Sequence, residues 1–86
     1  MTYSVVWSVF AVQEVARITS AAADPDRVRQ AASRMEFMLR RYPRDMGESR
    51  DPGYRVWYED VLGVYYRIDE AALRVEVLAA GPARRR

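Results

Sequence analysis

Between Val9 and Tyr42 the apolar residues recur at every third or fourth position, and from Tyr54 to Ile68 at every second one. The switch of period, at the turn signal Asp51-Pro52-Gly53, leaves few folds open. A chain so patterned puts helices first and a run of strands after them, and 86 residues suit one core rather than two. The expected architecture is α+β: an N-terminal strand, a two-helix antiparallel hairpin, then a three- to four-stranded antiparallel sheet packed on the helices. Residues 1–82 form that single domain, and 83–86 form a basic tail.

Local signals place the elements. Tyr3-Ser4-Val5-Val6-Trp7-Ser8 is β-branched and aromatic, with Tyr3, Val5 and Trp7 alternating onto one side, and reads as a first strand. Ser8 suits an N-cap. Ala11, Val12, Val15 and Ile18 then recur at helical spacing up to about Ala22. Asp24-Pro25 restarts the helix, because an aspartate caps free amides and proline fits the first helical position. The second helix is expected from Pro25 to Arg41, with a buried stripe of Val28, Ala31, Ala32, Met35, Met38 and Leu39, Tyr42 at its margin and Pro43 closing it. So short a connection makes the two helices an antiparallel hairpin. Arg27, Arg34 and Arg41 lie away from the stripe and read as a solvated face.

Met46-Gly47-Glu48-Ser49-Arg50 is compatible with a short strand or an ordered loop. Beyond Gly53 one strand sends Tyr54, Val56 and Tyr58 to one side and Arg55, Trp57 and Glu59 to the other. The next opposes Val64, Tyr66 and Ile68 to Tyr65 and Arg67. Leu73, Val75, Val77 and Ala79 form the inner row of a last strand. Joining the middle two strands by a loop at Asp60-Val61-Leu62, with their apolar rows on one face, sets Tyr58 against Val64, Val56 against Tyr66 and Tyr54 against Ile68. On the reverse face Trp57 meets Tyr65, and Arg55 meets Arg67. Two arginines directly opposite repel, by roughly 0.2–1 kcal/mol on the cross-strand scale, unless an anion or a carboxylate lies between them. An anionic partner would find guanidinium forks for its oxygens and rings for stacking. The competing expectation is that the guanidiniums lie on the rings and that Glu59 or Glu76 neutralises them.

Composition removes several chemistries. Cysteine and histidine are both absent, so thiolate chemistry, disulfides, the commonest general base and the commonest metal ligand are all missing. No metal site and no cofactor are expected. All 14 cationic residues are arginines, which bind anions but do not act as bases; coding in a G+C-rich genome explains that usage equally well. The net charge of +2 says little about nucleic acid by itself. No apolar run reaches a membrane span of about 18 residues, and the first residues lack the layout of a signal peptide, so no membrane partner and a cytoplasmic location are expected.

The order and spacing of several short motifs are similar to those of the RelE/ParE superfamily of type II toxin–antitoxin toxins. They are Tyr3-Ser4-Val5-Val6-Trp7-Ser8 with helical Ala11 and Ile18, the Pro43 close, Gly47-Glu48-Ser49-Arg50, Gly53-Tyr54-Arg55-Val56, and Val64-Tyr65-Tyr66-Arg67-Ile68-Asp69. The resemblance implies a growth-inhibiting toxin, neutralised by a cognate antitoxin in a hetero-oligomer. It offers two targets: messenger RNA on the ribosome in the RelE-like branch, or DNA gyrase in the ParE-like branch. Arg55 stands where the nuclease branch keeps an arginine, and Arg84 stands near a basic residue after the last strand. That branch's lysines are absent, and Arg84-Arg85-Arg86 occupy the place of its tyrosine. Cutting RNA needs a cation, a base and an acid. Arginines supply the first; Glu48, Glu59, Tyr65 or Tyr66 would have to supply the others. The expected binding set is Arg50, Arg55, Trp57, Tyr65, Arg67 and Arg84. Arg55, Arg67, Glu59 and Arg84 are the candidates should there be catalysis. The reading favours action by binding a nucleic-acid-handling target; a ribosome-dependent endoribonuclease and a non-toxic scaffold are the alternatives.

Overall fold

A computed structural model describes residues 2–83; the expected basic tail, apart from Ala83, and Arg84 with it, lies outside the described residues. The elements run β1 (Ser4–Trp7), α1 (Val9–Ala21), α2 (Pro25–Arg41), β2 (Glu48–Ser49), β3 (Tyr54–Glu59), β4 (Leu62–Asp69) and β5 (Arg74–Pro82). The segment that was open between strand and loop therefore holds a two-residue strand. The α+β class follows the period switch: two helices lie over one face of a single sheet.

The strand order is β1-β5-β4-β3-β2. Strands β2 to β5 are antiparallel neighbours, while β1 joins parallel to β5, with Val5 opposite Val75 and Trp7 opposite Val77. The sheet thus has five strands rather than three or four, and is mixed rather than antiparallel, because the N-terminal strand joins its edge. The two helices lie in the long crossover that a parallel pair requires.

Both helix starts form as their residues dictate. Ser8 Oγ accepts from the Ala11 amide at 3.0 Å and donates to the Leu78 carbonyl at 3.0 Å, so one hydroxyl caps α1 and ties it to β5. The Asp24 carboxylate accepts from the Arg27 amide, with Pro25 in the first helical turn. From α2, Ala31, Met35 and Leu39 are buried against Trp57, Leu62, Val64, Tyr66, Val75 and Val77 of the sheet, and Val28 is buried as well. Each such leucine or methionine contributes about 1.5–3 kcal/mol of burial.

Five expectations need correcting. Val12 lies outside the α1 stripe, 53% exposed, because Ala11, Val15 and Ile18 already fill the face turned to the sheet. Leu73 sits in a turn at φ 51 rather than in the inner row of β5. Ala79 opens to the opposite face, because β5 carries an unpaired bulge residue: Tyr66 faces Val77 and Tyr65 faces Ala79, leaving Leu78 without a partner. A bulge inverts side-chain parity beyond it. Arg27 and Arg34 are not merely solvated either. Arg27 forks onto Asp60 at 2.7 and 2.8 Å, and Arg34 meets Glu59 at 3.0 Å, tying α2 to the β3–β4 turn.

The fifth correction is the register of the central hairpin. Glu59 faces Leu62, so the turn has two residues, Asp60 and Val61, with Asp60 at φ 54. Trp57 then faces Val64, Arg55 faces Tyr66, and Tyr54 faces Arg67. The pairing is one residue away from that expected, and one residue is enough to exchange the faces of β3.

Candidate functional site

The exchange separates the two arginines. Arg55 lies on the helix side of the sheet, with Trp57, Glu59, Val64 and Tyr66; Arg67 lies on the open side, with Tyr54, Val56, Tyr58 and Tyr65. The expected face of Arg55 and Arg67 side by side does not exist.

Each guanidinium has its own task. Arg55 Nε donates to the Met46 carbonyl at 2.7 Å and its terminal nitrogen donates to the Gly47 carbonyl at 3.2 Å. Beside it the buried Tyr66 hydroxyl lies 2.7 Å from the Pro43 carbonyl and 3.0 Å from that of Met46, with one proton to donate. Together they pin the segment that leads into β2. Burial pushes the Tyr66 phenol up to about 12, against the pull of Arg55, so it stays protonated at neutral pH and is sealed from any substrate. Gly47 closes this corner: at φ 62, a Cβ there would fall 2.1 Å from the Val56 carbonyl oxygen.

On the open side Arg67 binds Glu76 of β5 directly across the ladder, with Nε–Oε1 at 2.9 Å and a second contact from NH2. That hydrogen bond, reinforced by the carboxylate's charge, holds Arg67 more firmly protonated than usual. Arg74 lies 3.8 Å from both Asp69 and Glu76, and Arg50 meets Glu48 at 3.1 Å. On this face, among the described residues, Arg50, Arg67 and Arg74 are thus matched by Glu48, Asp69 and Glu76. The charges cancel, and no phosphate clamp is built from them.

The prominent groups are rings instead. Tyr54 and Tyr65 stack at 5.7 Å between centroids and 18° between planes. Tyr58, 62% exposed, lies over Gly63, where a Cβ would meet its ring at 2.6 Å. Between Tyr58 and Tyr65 runs a shallow trough of about 270 Å³ floored by Gly63, Ala79 and Gly81. A Cβ built on Gly81 has nothing within 4 Å, so this floor is open.

Of the expected binding set, Tyr65, Arg67 and Arg50 therefore belong to the open side. Arg55 and the buried Trp57 belong to the other side, as does Glu59, paired with Arg34. Arg84 lies outside the described residues. Tyr54, Tyr58 and Gly81 were not singled out. The signal that would have found them is the Tyr-x-x-x-Tyr spacing of residues 54 and 58, which puts both rings on one face of a strand whichever face that is.

No family model matches the chain, and no curated protein matches its sequence. Solved structures do match its fold. The toxin–antitoxin complex RelBE2 of Mycobacterium tuberculosis superposes with a TM-score of 0.78 at 22% identity, over 96% of this chain and 100% of the other. A chromosomal ParDE toxin–antitoxin system of P. aeruginosa gives 0.72 at 15%, over 95% and 97%. The isolated E. coli RelE toxin gives 0.71 at 16%, over 98% and 87%. The chain has the fold of these toxins, as its motif order suggested. RelE-like and ParE-like structures fit it about equally well.

Proposed function

We propose that this protein is a toxin of a type II toxin–antitoxin module that acts by binding a protein target through the tyrosine side of its sheet. The fold, common to RelE and ParE toxins, supports the first part. The observation that carries the second is the neutral, aromatic character of that side: among the described residues its arginines are matched by carboxylates, Tyr54 stacks on Tyr65, and Tyr65 and Tyr58 border an open trough. Rings of this kind bring large contact area at low entropic cost and are enriched where proteins bind proteins. A polyanion, by contrast, would have to displace Glu76 from Arg67. A topoisomerase such as DNA gyrase is the target that fits this reading, with a cognate antitoxin holding the toxin inactive in the cytoplasm.

Purified protein added to gyrase and relaxed plasmid should block supercoiling, and Tyr54→Ala with Tyr65→Ala should relieve the block at least tenfold in concentration. Supercoiling that continues undisturbed, while messenger RNA is cut in a translating extract, would replace this reading with the endoribonuclease.

A further inference from the structure

We infer that Arg27 and Arg34 of α2 are positioning residues for the tyrosine side: from the opposite face of the sheet they fix the end of the β3–β4 hairpin, and so hold Tyr58 as the outer wall of the trough. This role deepens the proposed function and rests on it, because Tyr58 belongs to the surface assigned to the target.

The end of the hairpin has little support from its own sheet. The β2 ladder covers Arg55 and Val56, so from Trp57 to Glu59 no strand lies on the outer side of β3 among the described residues. On the inner side Tyr58 faces Gly63, which in turn faces Gly81, and glycines bring no side chain to the pairing. The two-residue turn also holds Asp60 at φ 54, a backbone region that L-residues enter at a cost. Tyr58 is mostly exposed, so the place of its ring over Gly63 depends on how the strand beneath it is set.

The second helix supplies what the sheet does not. Arg27 and Arg34 are two helical turns apart and stand on one side of α2. Arg27 forks onto both carboxylate oxygens of Asp60, and Arg34 Nε meets Glu59 at 3.0 Å. These pairs bridge a cleft of about 570 Å³ between α2 and the turn, lined by Gln30, Ala31, Arg34, Glu59 and Asp60. Glu59 and Tyr58 are consecutive in a strand and point to opposite faces. Holding Glu59 towards α2 therefore sets the roll of the strand, and the roll sets the ring of Tyr58 on the other side. Exposed ion pairs add little to global stability, but a forked guanidinium fixes the geometry of the group it binds. The arginines thus act on the trough more than on the fold.

The test reads the Tyr58 ring through Gly63. Protons beneath an aromatic ring are displaced upfield, so the Gly63 α-protons of the ¹³C-labelled full chain report where that ring lies. Tyr58→Ala removes the displacement and gives its full size. Arg27→Gln with Arg34→Gln should remove about half of it or more, with the core Trp57 indole signal in place, and should weaken the block on supercoiling about threefold, as two exposed ion pairs allow. Arg34→Glu should move the Gly63 signals in the same direction, and Arg34→Glu with Glu59→Arg should restore both the signals and the block. Gly63 signals unmoved by the arginine changes overturn the inference, as does a swapped pair that restores nothing. Gly63 signals that follow the arginines, in a native chain that does not block supercoiling, support the clamp and overturn the proposed target instead.

Discussion

Arg55 donates to two backbone carbonyls at the corner of residues 46 and 47; at Met46 the Tyr66 hydroxyl is a second donor within reach, whereas at Gly47 Arg55 is the side chain that donates. Removing it leaves those acceptors short of partners, which costs about 1–3 kcal/mol in a part-buried setting. Arg55→Ala should therefore lower the denaturant midpoint markedly. Arg67→Ala, on the exposed side with only Glu76 to release, should lower it much less. Equal losses would contradict this division of labour. The neighbouring Tyr66 adds a pH dependence with a definite sign. Its phenol ionises near 10 when unfolded and at about 12 in the fold, so the proton is bound more tightly in the native state. The stabilisation is complete below pH 10 and is lost as pH rises towards 12, amounting to roughly 2–3 kcal/mol at the full shift. The stability gap between the native chain and Tyr66→Phe should shrink over that window; a constant gap would show that burial does not hold the phenol's proton.

At the scale of elements, turns and bulges decide which side chains share a face. Helix starts were legible because their causes are local: Ser8 and Asp24-Pro25 need only the next three amides. The face of β3 was not, because both of its rows carry aromatic residues. Tyr54, Val56 and Tyr58 look like an inner row, and Arg55, Trp57 and Glu59 look like an outer one. The reverse holds because Trp57 fills the core while the polar ends of Arg55 and Glu59 find a carbonyl pair and Arg34 at the sheet's margin. Counting alternate positions cannot detect partners supplied from elsewhere in the chain. The bulge at Leu78 was hidden for the same reason, since the Ser8 hydroxyl that binds its carbonyl lies 70 residues away. Gly47 gives a test at this scale. Its positive φ and the 2.1 Å approach to Val56 both forbid a side chain. Gly47→Ala should cost more than about 2 kcal/mol, by combining backbone strain with displacement of the β2–β3 pair. Native stability in that variant would mean the corner is looser than described.

For the whole molecule, the sheet divides two surfaces of different character. One side has tyrosines, a trough floored by small residues and mutually cancelled charges. The other has a helix hairpin with an apolar groove and a cation at its mouth. On the proposed function, a toxin with a target and a neutralising partner would have two separate surfaces, each alterable alone. Changes at Phe37 and Arg41 should leave target inhibition at the native level, whereas changes at Tyr54 and Tyr65 should relieve it. Equal relief of inhibition by both pairs would mean that the surfaces are one.

The trough offers the sharpest test of action through the tyrosine side, because a side chain at Gly81 enters empty space and fills it without disturbing the core. Growth should be followed after inducing the native chain and Gly81→Leu at matched protein levels, with plasmid supercoiling measured in the same cultures. Arrest with relaxed plasmid from the native chain, and normal growth with Gly81→Leu, is the predicted outcome. Equal arrest by both chains would contradict it.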